Sequence, residues 1–274
     1  MKKHLTMTRF VLVLALVLVS LLIVSCGSSA PATTAPEEAA APTTPPEPTS
    51  PPEPELEGDV VRGGLLYDEW WAALGVDAPT DDQPLWATQT TNTRSGADTW
   101  RCKECHGWDY KGVDGAYGSG SHQTGFTGVL NAASMSTEEL LAWLDGNSNP
   151  DHDFSTVMDE VALNTLATFI QEEAADISAF VNDDKTVNGD PASGKALYDG
   201  TCATCHGVDG KKINFGSEDE PEYVGTLAAD NPWEFFHKAS FGQPGAPMPA
   251  GKALGWTMED IADLAAFAQT LPIE

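Results

Sequence analysis

The sequence predicts an all-α protein built from two copies of one unit behind a disordered tether. Three observations carry that prediction. The run Cys102-Lys103-Glu104-Cys105-His106-Gly107 returns as Cys202-Ala203-Thr204-Cys205-His206-Gly207. Helix start and stop signals recur around both copies, and no stretch keeps the apolar–polar alternation of a strand. Residues 33–57 are Pro, Thr, Ala and Glu with almost no large apolar side chain, so they cannot bury enough surface to fold.

The N-terminus reads as an address. Lys2, Lys3 and Arg9 precede the uncharged, mostly aliphatic run Phe10 to Val24, the pattern of a secretory signal over residues 1–25. Ile23-Val24-Ser25-Cys26-Gly27 resembles a bacterial lipobox. That resemblance implies that Cys26 becomes the lipid-bearing first residue of the mature chain. The other reading is an uncleaved anchor, for which the aliphatic run is short. Either one puts the folded part outside the cytoplasm. Residues 26–56 then form a lipid-anchored, proline-stiffened, disordered linker.

The chain has 274 residues, 41 acidic and 14 basic, for a net charge of −27. Losing Lys2, Lys3 and Arg9 takes the mature chain to −30. Nucleic-acid binding and docking on anionic lipid both need clustered Lys and Arg, so both classes are excluded. Basic protein partners are favoured.

Residues 57–184 form the first unit and residues 185–274 the second. Asp59, Gly63, Leu66, Tyr67 and Asp68 line up with Asp190, Gly194, Leu197, Tyr198 and Asp199. Downstream, Gly146 lines up with Gly242, and Leu166-Ala167-Thr168-Phe169 with Leu264-Ala265-Ala266-Phe267. The registers agree once the first unit is given a Trp-rich insertion over residues 68–101. Asp190 and Pro191 open a helix that runs toward the second Cys pair. Ser136 and Glu139 make a capping box before Leu140 to Leu144, and Gly146 stops that helix. Asn231, Pro232 and Glu234 start its counterpart, which Gly242 ends. Thr257 opens a last helix with Ile261, Leu264, Ala265 and Ala268 on one face. Each unit has few aliphatic residues for a core of its own, so a large apolar ligand would help it fold. The Gly-rich loops 112–128 and 207–225 are placed to wrap one.

Cys-x-x-Cys-His is the attachment sequence for c-type haem. Two thiols on one helical turn reach the two vinyl groups, and the next residue sits beneath the iron to coordinate it. A zinc ribbon would bring its Cys pairs about 15–20 residues apart, far closer than these. Thioredoxin-like chemistry needs a βαβ setting, which is absent. Disulfides remain chemically open in an exported chain. Four cysteines used by haem and one by lipid account for all five.

Each copy resembles a class I cytochrome c domain, and the chain resembles a dihaem cytochrome c lipoprotein. The resemblance implies two covalent haem c groups. Cys102, Cys105 and His106 hold the first, and Cys202, Cys205 and His206 the second. Gly242-Gln243-Pro244-Gly245-Ala246-Pro247-Met248-Pro249 resembles the family's distal methionine loop, which implies His206 and Met248 as the second axial pair. Met258, just inside the last helix, is the competitor. The first unit departs from the pattern, because no Met-Pro follows Gly146. Six residues past Gly242 is Met248; six past Gly146 is His152. Bis-histidine ligation by His106 and His152 is therefore expected. Met158, Met135, His122 and an open sixth site are the alternatives. Methionine ligation raises a haem potential, so the first haem is expected to lie lower than the second.

Trp70, Trp71, Trp86, Trp100, Trp108 and Trp143 fall in the first unit and are expected to pack over its haem. His237, beside Lys238, reads as a surface histidine. The expected function is electron transfer between redox proteins that are basic at their docking faces, with the membrane reached through the lipid anchor and no substrate converted. The alternatives are a dihaem oxidoreductase, thiosulfate-oxidising or peroxidase-like, and a haem subunit of a respiratory complex.

Overall fold

Helix caps set the framework of the chain. A computed structural model describes residues 59–273, which lie in one compact unit, Pro52–Glu274. The expected signal, the Cys26 lipid site and the 26–56 linker lie outside the described residues. Helix α1, Val60–Leu74, is capped by the Asp59 carboxylate and stops at Gly75 in a left-handed conformation. It breaks at Glu69, where the insertion begins. Two 3-10 turns, Pro84–Thr88 and Gly96–Trp100, carry the rest of the insertion. Helix α2 is Cys102–His106. Helix α3, Thr137–Leu144, starts on the expected Ser136–Glu139 capping box. Helix α4 is Glu160–Glu172.

The second half repeats this plan without the insertion. Helix α5, Pro191–Leu197, starts at Asp190 and runs through a π-type turn, Tyr198–Cys202, into α6, Ala203–His206. Helix α7 is Val224–Asp230. Helix α8, Pro232–Phe241, begins at Asn231 and ends at Gly242, and α9 is Met258–Ala268 under a Thr257–Asp260 capping box. Among the described residues there is no strand, only three isolated bridges. None of their helices is long and apolar enough to cross a membrane.

In each half the first helix crosses the last: α1 on α4, and α5 on α9. Glycine makes both crossings close. A Cβ on Gly63 would strike the Phe169 Cβ and come within 2.7 Å of the Thr165 carbonyl oxygen; on Gly194 it would strike the Asp263 carbonyl oxygen. These are the two glycines that the internal repeat aligns. Around the crossings lie two separate apolar clusters. One holds Leu66, Tyr67, Leu166 and Phe169, and the other Tyr198, Ile261, Leu264 and Ala268.

Helix α8 joins the halves. Its Phe241 belongs to the first cluster, and it closes on Gly64, where a Cβ would collide with the Phe241 ring. Gly64 aligns with Lys195, so the repeat is broken at the residue that makes the seam. His237 is only 2% exposed, which corrects the expectation of a surface histidine. Its helix faces α1 rather than solvent. Tyr110 Oη donates to His237 Nδ1 at 2.7 Å, and His237 Nε2 donates to the Gly64 carbonyl at 3.0 Å. The fully buried Asp68 carboxylate accepts from both Arg101 and Lys238. Burial alone would raise its pKa, but Lys238 and Arg101 hold it below the usual carboxylate range.

Candidate haem centres

The two Cys-x-x-Cys-His turns share one hydrogen-bond frame. The chain leaves each histidine through a glycine with positive φ, Gly107 at 79° and Gly207 at 83°. Tyr67 Oη donates to the Gly107 carbonyl at 2.6 Å, and Tyr198 Oη to the Gly207 carbonyl at 2.7 Å. Gly112 N donates to the His106 carbonyl at 2.8 Å, and Lys212 N to the His206 carbonyl at 2.9 Å. A tyrosine from the first helix of each half thus fixes the turn on which the cysteines and histidine stand.

Cys102, Cys105, Cys202 and Cys205 form no disulfide among the described residues. Burial pushes Cys102 up to about 12 and Cys202 up to about 11, and raises Cys105 further. Among the described residues no three His, Cys, Asp or Glu side chains converge on one position.

The His106 and His152 rings meet edge-on, with centroids 6.2 Å apart and planes at 73°. His106 Nδ1 donates to the Thr127 carbonyl at 2.6 Å, and His152 Nδ1 to the Trp143 carbonyl at 2.9 Å. Each hydrogen bond selects the tautomer that leaves Nε2 with a free lone pair. Burial lowers both pKa values, His106 to about 4, so both rings are neutral near pH 7. Two imidazole nitrogens, each about 2 Å from one iron, set ring centroids about 6 Å apart. The donor set and spacing therefore fit a six-coordinate haem iron.

The other first-half candidates stand in different surroundings. Met158 is buried in the first cluster and Met135 packs against it. His122 stacks on Tyr117 at 4.8 Å and lies 3.3 Å from the buried Glu104 carboxylate. Arg94 and Lys103 meet that carboxylate at 2.6 Å each. Burial would raise the Glu104 pKa, but His122, Lys103 and Arg94 together pull it far below the usual range.

Sequence reading missed the insertion's purpose. Gln83, 4% exposed, donates its side-chain amide to the Asp151 carbonyl at 2.6 Å, next to His152. The Trp100 ring meets Phe154 edge-on at 5.6 Å, and Phe154 meets His152 at 5.0 Å. The insertion thus braces the His152 turn. A lone glutamine in a long insertion gives no periodic or motif signal, so only the fold reveals it. The expectation that the six tryptophans cover one centre is corrected in part. Trp108 is buried against α8, its ring centroid 4.9 Å from that of His237.

In the second half, His206 Nδ1 is buried without a hydrogen-bond partner. Phe215 meets its ring at 5.7 Å. Met248 is half-buried on the loop after α8. Gly242, at φ 89°, lets that loop fold back so closely that a Cβ there would lie 2.8 Å from the Met248 carbonyl oxygen. Met258 packs against the second cluster, the packing role its position allows.

Residues 189–267 match the family described as Cytochrome C oxidase, cbb3-type, subunit III. This match, over under a third of the chain, supports a cytochrome c there and, in general, haem-based electron transfer by a covalently bound c-type haem. No curated protein and no solved structure matches the chain.

Proposed function

We propose that the chain is a dihaem cytochrome c that transfers single electrons between redox proteins while tethered outside the cytoplasm by lipid on Cys26. Cys102 and Cys105 carry one haem by thioether bonds, and Cys202 and Cys205 the other. His106 and His152 would hold the iron of the first, and His206 and Met248 that of the second. Haem supplies a one-electron iron couple. The protein's part is to hold the histidines neutral, to aim each Nε2, and to cover the groups from water. The reading rests above all on the shared frame of the two turns. One turn lies inside the matched cytochrome c stretch, and the other repeats its Tyr–Gly hydrogen bond.

Purified from an exporting host, the protein should carry two haems per chain by pyridine haemochrome and mass. Cys102→Ala and Cys202→Ala should each abolish one attachment. Both ferric irons should be low-spin by electron paramagnetic resonance, and His152→Ala should turn one high-spin. A single haem per chain would sink the dihaem reading. A high-spin, cyanide-binding iron in the unaltered protein would favour an oxidoreductase. The matched family's description favours one second reading, a haem subunit of a larger membrane respiratory complex. Co-purification of the tagged protein with an oxidase from its own membranes would support it.

A further inference from the structure

The two copies of the attachment turn end in different surroundings. In the first, Trp108 follows Gly107 and is 1% exposed. The Lys103 and Lys238 ammonium groups lie over its ring at 5.2 and 5.3 Å, and His237 packs against it. Lys111 closes the margin against Asp176 at 2.7 Å. Helix α8 therefore covers this face.

One repeat later the same face is bare. Val208, which aligns with Trp108, is 79% exposed. The loop that follows is pinned by Phe215 N donating to the Glu222 carbonyl at 2.8 Å and Ser217 N to the Glu220 carbonyl at 3.1 Å. It presents Ile213 and Phe215, each 41% exposed, beside the exposed run Glu218-Asp219-Glu220.

We propose that this face of the second copy, centred on Val208 with the 213–220 loop at its edge, docks a basic redox protein. The equivalent face of the first copy is closed to outside partners because α8 occupies it. The proposal rests on the haem reading above. Its warrant is the internal repeat: the same turn, in the same hydrogen-bond frame, is already a packed interface in the first copy. Lys211 and Lys212 lie between Val208 and Ile213, but Asp209, Glu218, Asp219, Glu220 and Glu222 outnumber them, so a face that is apolar at Val208 and net acidic at its edge fits a partner with an apolar centre and a basic rim. A net charge of −27 steers such a partner in. Each encounter moves one electron between the second centre and the partner's own redox centre. One is oxidised and the other reduced, with no bond made or broken.

The test uses the full-length holoprotein, with a basic mitochondrial-type cytochrome c as probe and electron transfer followed by stopped flow. Val208→Lys is compared with Val76→Lys, which adds the same charge at a 51%-exposed site in the first half. Val208→Lys should lower the second-order rate constant about tenfold, and Val76→Lys less than about twofold. Both variants should react unchanged with hexaammineruthenium, which needs no docking surface. Equal rates for the two variants, with two haems attached, would overturn the docking face. Fewer than two haems, counted before the kinetics, would overturn the haem reading instead.

Discussion

At the scale of single residues, His237 is the most consequential departure from the sequence reading. Burial lowers its pKa to about 4, against about 6.5 in an unfolded chain. Between those values the unfolded chain binds more protons, so stability rises with pH and is lost as pH falls from about 6.5 toward 4. The size is about 1.4 kcal/mol per pH unit for this one group. Urea unfolding of His237→Gln should show a flatter slope than the unaltered protein from pH 4.5 to 6.5, and identical slopes would refute the assignment. Lys238→Met leaves the buried Asp68 with Arg101 alone and should cost about 3 kcal/mol, whereas Asp68→Asn with Lys238→Met should recover part of it. Gln83→Ala removes the brace beside His152. The holoprotein should then show a partly high-spin first haem with the second spectrum untouched.

At the scale of elements, the crossings of α1 on α4 and of α5 on α9 depend on Gly63 and Gly194. Alanine at either position drives a Cβ into the partner helix, and each should lower stability by about 1–3 kcal/mol. Gly64→Ala separates the roles of these helices. Its nearest clash is with the Phe241 side chain of α8, so it should loosen the seam while both crossings stay intact. Calorimetry is the check: one cooperative transition in the unaltered protein, and two resolved transitions in Gly64→Ala. The capping signals were legible because a cap is local chemistry. Asp59, Ser136, Asp190, Asn231 and Thr257 all begin the helices that their sequence context announces. The seam was not legible, because nothing in α8's own sequence says which surface its His237–Lys238 face will meet.

At the scale of the whole molecule, two centres with different axial pairs should titrate apart. A bis-histidine centre lies below a histidine–methionine one. A potentiometric titration should resolve two one-electron waves, and His152→Met should raise the lower. Two coincident high-potential waves in the unaltered protein would remove the bis-histidine assignment. The sequence by itself determined the all-helical class, the repeat, the caps, and the two Cys-x-x-Cys-His turns with their tyrosines. Each of these is written in short-range spacing, which survives without knowledge of the fold. Only the tertiary structure decided that His106 and His152 meet and that the insertion braces the distal turn. It also decided that α8 buries one copy of a surface and leaves the other bare. These facts depend on contacts between residues far apart in the chain, where spacing carries no information and close packing selects the partner.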